Sequence, residues 1–417
     1  MSSLRKTGGK GPIGVLDIGT AKVCAAITAA DSDGVPMLLG LGHQKARGIK
    51  SGMVIDPDEA ERAVRAAVGQ AERMAGVSLD RVVVSISAGR MRSTSFVARA
   101  TLESGVVRES DIDRILADGE AWLDRSGRAV IQLGRSGWRL DEATGIADPC
   151  GLAGRELAVD LSAVTADEGT VRNLVGVVER SHMLAERLVP APYASGVAVA
   201  TEEERRAGVL VVEMGAGVTS VAIFAEGRVV HVDAVPVGGN HLTYDIAREL
   251  VTTIAEAERI KTLYGTLIKA SSDDAEMIAY PVAGGDEPGG LHQTSKAHVR
   301  EILAPRIEGL LGQVAERIDE SGLGAMATRR VVITGGASQL LGLDQVWSRR
   351  FPGSVRIGRP QPVGRMPGSM CSPAFSTVIG LLQVAGMPPD VQRASGGVGS
   401  RDRGYLDRIE RWIRESF

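Results

Sequence analysis

One pattern occurs twice in this chain, and it restricts the fold more than any other feature. Residues 13–27, IGVLDIGTAKVCAAI, read as an apolar strand, an acid, a glycine-bearing turn and a returning apolar strand. Residues 208–224, GVLVVEMGAGVTSVAIF, repeat that layout about 195 residues later. In the first copy Gly19 lets backbone amides come close to an anion, and Thr20 adds a hydroxyl donor. Asp17, at the end of a buried strand, is placed to hold a hydrated Mg²⁺ rather than to build a core. In the second copy the acid is Glu213 and the turn runs through Gly215, Ala216, Gly217 and Val218. Two such hairpins imply two similar halves facing each other across a phosphate site. A third stretch, 331–343 (VVITGGASQLLGL), reads as a strand running into Gly335 and Gly336, then a helix start at Ala337 and Ser338. That arrangement offers a nucleotide close approach and a favourable dipole. Any one of these turns occurs in many hairpins; the ordered set of three carries the reading.

The remaining composition narrows the setting. With 417 residues, 44% hydrophobic and 24% charged, the chain can bury a core in two or three domains. A net charge of −3 gives nucleic-acid binding no support. Cys24, Cys150 and Cys371 are scattered, so neither a disulfide framework nor a zinc site is expected, and a reducing cytoplasmic setting fits. No leader-like or membrane-spanning apolar run is present, so membrane contact is expected to be peripheral.

The three motifs, in this order, resemble the phosphate 1, phosphate 2 and adenosine motifs of the actin/Hsp70/sugar-kinase superfamily. RGIKSG at 47–52, NHLTYDI at 240–246 after VGG, AERIK at 257–261 and the terminal WIRESF narrow the resemblance to the bacterial cell-division actin homologue FtsA. The similarity runs from about residue 12 to 417. It implies an α/β, two-lobed actin-like ATPase fold with duplicated mixed-sheet domains and an inserted 1C-type subdomain. It also implies ATP and Mg²⁺ as cofactors. Asp17, Gly19, Thr20, Lys22, Gly215, Ala216, Gly217, Val218, Gly239, Asn240, Glu258, Lys261, Gly335, Gly336 and Ala337 would meet the nucleotide. Asp17 and Glu213 would hold Mg²⁺ through water. The implied partners are the tail of the tubulin-like protein FtsZ, received by subdomain 2B through Arg300 and Arg306, other copies of the chain in a filament, and further divisome proteins through 1C. Solvated surface charges are the alternative for both arginines, and an ordinary surface ion pair is the alternative for Glu258 and Lys261.

Along the chain, 1–11 read as a disordered start, 12–87 with 161–205 as lobe 1, 88–160 as the insertion, 206–251 with 314–385 as lobe 2, and 252–313 as 2B. Asp56 and Pro57 open a helix that Gly76 closes. Ser110 is expected to cap a helix over 110–125. Residues 167–184 are expected to form a helix with His182 on its apolar stripe, and 202–206 a surface turn. The VGG stretch opens a helix whose amides, with Asn240, could meet phosphate or ribose.

Residues 386–402 are rich in Pro, Gly and Ser and read as a flexible tether. Residues 403–417 turn helical, with Leu406, Ile409, Trp412, Ile413 and Phe417 on one stripe. Such a helix is about 22 Å long, too short to span a bilayer but able to lie in its interface. Packing back onto the body is the alternative. A single copy would bind lipid weakly and a row of copies strongly; the resemblance implies a location at the inner face of the cytoplasmic membrane at the septum. Departures from the superfamily pattern point to slow or absent hydrolysis: Glu213, Ala216, Val218 and Ser220 stand where Asp, Gly, Thr and Asp are common. No residue of 189–192 can orient a water. The competing assignments are a pilus-assembly actin relative or a small-molecule kinase of the same fold.

Overall fold

The computed structural model describes residues 11–31, 35–88, 90–124, 127–283, 291–364 and 366–387. The chain opens with β1 (Ile13–Ile18), β2 (Lys22–Ala30) and β3 (Pro36–Lys45), followed by a miniature hairpin of β4 (Ile49–Lys50) and β5 (Met53–Val54). Helix α1 (Pro57–Ala75) begins where the Asp56 carboxylate accepts from the amides of Asp58 and Glu59, and ends at Gly76 in the left-handed conformation. Its Ala and Val stripe packs on the sheet. Strand β6 (Arg81–Ile86) leads into an inserted unit of β7 (Arg92–Thr101), α2 (Glu109–Asp124), β8 (Arg128–Leu140), β9 (Ala143–Ile146) and β10 (Glu156–Asp167). Its sheet runs β7-β10-β8-β9, with a core of its own around Trp138, Leu157 and Leu161. Helix α3 (Glu168–Arg180) and β11 (Leu184–Pro190) return the chain to the first sheet.

Helix α4 (Ala191–Val199) is buried on every side, as its uniformly apolar sequence requires. After α5 (Glu202–Ala207) come β12 (Val209–Met214), β13 (Thr219–Ala225), β14 (Arg228–Val235), α6 (Gly239–Glu249) and α7 (Ile254–Tyr264). A two-stranded ribbon, β15 (Met277–Pro281) and β16 (Leu291–Ser295), precedes the long α8 (Lys296–Glu320) and the short α9 (Gly324–Ala327). The chain then forms β17 (Arg330–Thr334), α10 (Leu343–Arg350), β18 (Ser354–Ile357) and α11 (Ser376–Gly386).

The two large sheets carry the duplication. One runs β11-β6-β1-β2-β3 and the other β18-β17-β12-β13-β14. In each, the glycine-turned hairpin and the next strand are antiparallel, and the two strands on the other side of the hairpin run parallel to it. Helices α4 and α11 cross between the sheets. A Cβ added to Gly380 would lie 1.8 Å from the Ala194 carbonyl oxygen, so the crossing is backbone against backbone.

Four expectations need correction. Ser110 lies inside α2, which starts at Glu109. His182 is exposed in a left-handed turn, φ +63°, because the chain must reverse after Arg180 to enter β11; it is not on an apolar stripe. The helix expected over 167–184 ends at Arg180, and Leu184 opens strand β11 instead. Residues 202–207 are a helical turn, not a loop, fixed by a capping box between Thr201 and Glu204.

Candidate functional site between the two hairpin turns

The two turns touch. A Cβ placed on Gly217 would fall 2.6 Å from Thr20 Oγ1, 2.9 Å from Thr20 Cγ2 and 2.9 Å from Ser51 Cα, so only glycine allows this contact. The Gly52 amide donates to Thr20 Oγ1 at 2.9 Å, so the β4–β5 hairpin holds the first turn from behind. Within the turns, the Gly19 amide bonds to Lys22 O at 3.0 Å and the Gly215 amide to Val218 O at 2.9 Å. The amides of Ala216, Gly217 and Val218 find no acceptor among the described residues. Gly217 and Val218 are nevertheless buried. Amides buried without acceptors are costly unless something accepts from them, which makes the second turn a candidate anion cradle.

The amides of Gly239 and Asn240, expected to meet phosphate, donate instead to Gly215 O at 3.0 Å and Ala216 O at 2.8 Å. The start of α6 therefore braces the cradle rather than contacting a ligand through these groups. Lys261 and Glu258 are brought together at 2.6 Å. The same ammonium donates to Gly239 O at 3.1 Å and lies 2.8 Å from Thr243 Oγ1. Ala337 Cβ sits 3.1 Å from where a Gly239 side chain would begin, so the third motif also reaches this corner. The expected helix start at Ala337 is a single 3-10 turn, Gly336–Gln339, too short to sum a useful dipole. Lys22 spans the other side: its ammonium donates to Ala374 O and stands 3.8 Å over the Phe375 ring.

The two acids differ. Asp17 Oδ1 accepts from Ser85 Oγ at 2.6 Å, and the residue keeps part of its surface open. Burial raises its carboxyl above the usual carboxylate value; Ser85 and the Lys22 charge pull it back. Asp17 is paired across the strands with Cys24, whose thiol burial pushes up to about 12, with a further push from Asp17. That thiol is therefore inert. Glu213 is only 8% exposed. Its Oε1 accepts from Ser195 Oγ at 2.8 Å and from Thr377 Oγ1, and its Oε2 from Ser220 Oγ at 3.1 Å. Burial raises its carboxyl; the Thr377 bond lowers it, the Asp17 charge raises it, and the Ser195 and Ser220 bonds lower it. Sequence reasoning missed Ser195, Thr377 and Ser85. The one available signal was Ser195 standing as a small hydroxyl within a helix of apolar residues.

The two candidate partner arginines separate. Arg300 is 14% exposed and tied to buried Asp273, which leaves it poorly placed to receive an acidic tail. Arg306 forks onto Asp245 at 2.7 and 2.9 Å and stays 37% exposed. It lines a cleft of about 450 Å³ with Asp245, Arg248, His298, Glu301 and Pro305. The tether from 388 onward and Leu406, Ile409, Trp412, Ile413 and Phe417 lie outside the described residues. Among the described residues no helix is long and apolar enough to cross a membrane.

Two duplicated sheets closing on paired glycine turns, with crossing helices behind them, define an actin-like ATPase fold. Solved structures agree on that fold. The PilM-PilN type IV pilus biogenesis complex aligns at a TM-score of 0.63 and 15% identity, covering 90% of this chain and 99% of that one. MreB5 of Spiroplasma citri bound to ADP aligns at 0.55 and 14%, covering 96% and 98%. The family profile "Cell division protein FtsA" matches residues 210–380, and "SHS2 domain inserted in FTSA" matches residues 88–165. The Cell division protein FtsA of Agrobacterium fabrum is 38% identical over 97% of this chain and 95% of its own length. That of Neisseria meningitidis is 32% identical over 97% and 98%, and that of Escherichia coli 29% over 96% and 97%. The chain belongs to the FtsA family of cell-division proteins.

Proposed function

We propose that this chain binds MgATP between its lobes, turns it over slowly or not at all, and polymerises into a membrane-bound adaptor. The adaptor would tether FtsZ filaments to the inner face of the cytoplasmic membrane and recruit later divisome proteins through the inserted subdomain. The observation that carries the nucleotide part is the seating of Gly217 on Thr20, with the adjoining amides of 216–218 lacking acceptors. Triphosphate oxygens are the acceptors these amides suit. The donor set at Asp17 fits a hydrated Mg²⁺: Ser85 holds Oδ1, and no hydrogen bond to Oδ2 is found among the described residues. When bound, the cation would neutralise phosphate charge. Lys261, Glu258 and Ala337 gather where the third motif approaches Gly239, and would flank the nucleoside. Slow turnover follows from the all-buried α4, whose start at 190–192 offers no side chain to orient water.

The Arg306 cleft is the proposed seat of an acidic FtsZ tail, with Arg248 beside it. The terminal stripe of Leu406, Ile409, Trp412, Ile413 and Phe417 would supply the lipid contact. Co-sedimentation of the full chain with anionic liposomes tests the whole reading. ATP should raise the pelleted fraction, an FtsZ tail peptide should pellet with it, and Trp412→Glu should stay in the supernatant. Equal pelleting of Trp412→Glu and wild type would remove the membrane assignment.

A further inference from the structure

The acid of the second hairpin is held by more partners than that of the first. Glu213 sits at the end of β12, and its carboxylate is surrounded by hydroxyls from three other elements. Ser195 belongs to α4, Thr377 to α11 and Ser220 to β13. Ser195 Oγ and Thr377 Oγ1 are themselves 3.1 Å apart. One residue away on α11, Ser376 Oγ lies 2.6 Å from Thr334 Oγ1, and that hydroxyl also donates to Gly358 O at 3.0 Å. A row of buried hydroxyls thus binds the crossing helices to the strands of lobe 2. The side chain is one methylene longer than aspartate. That added reach carries the carboxylate to the hydroxyls of α4 and α11, which with Ser220 of β13 make three donors. A metal-bound water would need an acceptor lone pair that three hydroxyls leave little room for.

We propose that Glu213 is the pivot of the interlobe hinge, fastening α4 and α11 to the strand that bears the anion cradle, and is not an Mg²⁺ ligand. The proposal rests on the nucleotide reading above only for its direction of signalling. Phosphate drawn into the cradle would move the turn that follows β12, and Glu213 would pass that movement to the two helices that cross between the sheets.

The test uses the full-length protein and three variants. Glu213→Gln keeps the shape and an amide oxygen able to accept from both Ser195 and Thr377, but loses the charge. Glu213→Ala loses both, and Ser195→Ala/Thr377→Val removes the two helix partners while leaving the carboxylate and its bond from Ser220. ATP affinity is measured in Mg²⁺ and in EDTA, and amide exchange is followed over 191–199 and 376–386 with and without ATP. The pivot predicts that all three variants keep the wild-type ratio of the two affinities. It also predicts that Glu213→Gln keeps the ATP-dependent change in exchange, whereas Glu213→Ala and the double variant lose it. A fall of about tenfold or more in the Mg²⁺ dependence of Glu213→Gln, as expected on losing a group that holds a metal or its shell, would overturn it. If wild type binds no ATP, the nucleotide reading fails by itself. The pivot is then decided by melting temperatures of Glu213→Ala, Thr377→Val and their combination. Non-additive losses support it, and additive losses refute it.

Discussion

Replacing Gly217 by alanine gives a direct test of whether the two turns must touch to hold a triphosphate. The new Cβ would stand 2.6 Å from Thr20 Oγ1, against 3.4 Å for an ordinary contact, and 2.9 Å from the Ser51 Cα, which is backbone and cannot rotate away. The second turn must therefore retreat by about 0.8 Å, or the lobes must open by as much. An amide–phosphate bond of ~2.9 Å stretched by that amount exceeds the range in which such bonds hold. Hydrogen bonds to charged acceptors are worth ~1.5–3 kcal/mol each. With partial relaxation, the loss of one such bond or a little more weakens ATP binding by roughly 30- to 100-fold. The overpacking itself costs stability by about 1–3 kcal/mol. Calorimetric titration with ATP and Mg²⁺ reads the first effect and a thermal melt reads the second. If Gly217→Ala melts slightly low yet binds ATP as wild type does, the cradle is not where phosphate sits.

Gly380→Ala places a methyl 1.8 Å from the Ala194 carbonyl oxygen; it should cost about 3 kcal/mol or more and lower the melting temperature by roughly 3–4 °C or more. An unchanged melt would mean the helices do not cross there. Arg306→Ala leaves the buried Asp245 carboxylate with Arg248 alone. It should cost about 1–3 kcal/mol and weaken an acidic FtsZ peptide measured by fluorescence anisotropy, whereas Arg300→Lys should leave the peptide affinity unchanged. His231 is held below its ordinary value by burial, against the pull of Asp233, and its Nε2 is buried without a hydrogen-bond partner among the described residues. A depressed histidine binds its proton more readily unfolded than folded, so its contribution is full above about pH 6.5 and is lost as pH falls toward the folded value. His231→Leu should therefore lose less stability than wild type between pH 7.5 and 5.5, and parallel melting curves for the two would contradict this.

The hairpins were legible because their determinants are local. A buried strand, an acid and a glycine lie within seven residues, and each hairpin pairs its own two strands. Gly76 and Asp56 were legible for the same reason. Features set at a distance were not. Arg300 looks free in the sequence and is neutralised by Asp273, 27 positions earlier. Strand β11 reads as LAERLVP, with charge in its middle and proline at its end. It becomes a strand because a parallel edge position beside β6 needs pairing on one side only. The capping box that makes α5 a helix, Thr201 with Glu204, was present in the sequence but had only six residues to act on.

The unequal acids show how a duplicated fold can divide one task. Both hairpins end their first strand in a carboxylate, and both carboxylates are raised by burial. A buried charge needs either a cation or a set of donors. Asp17 is short, has one hydroxyl partner and lies within reach of Lys22, so it remains available to a cation. Glu213 is longer and is satisfied by hydroxyls on the helices that join the lobes. On the proposed reading, the same position in the repeat would meet the ligand in one lobe and fasten the joining helices in the other. Exchanging the side-chain lengths tests that division. Asp17→Glu should abolish Mg²⁺-dependent ATP binding by pushing its carboxylate into the cradle. Glu213→Asp should leave that binding within a few-fold of wild type but withdraw the carboxylate from Thr377 and loosen α11, seen as faster amide exchange over 376–386. Equal loss of Mg²⁺-dependent binding in both would show that the two lobes still use their acids alike.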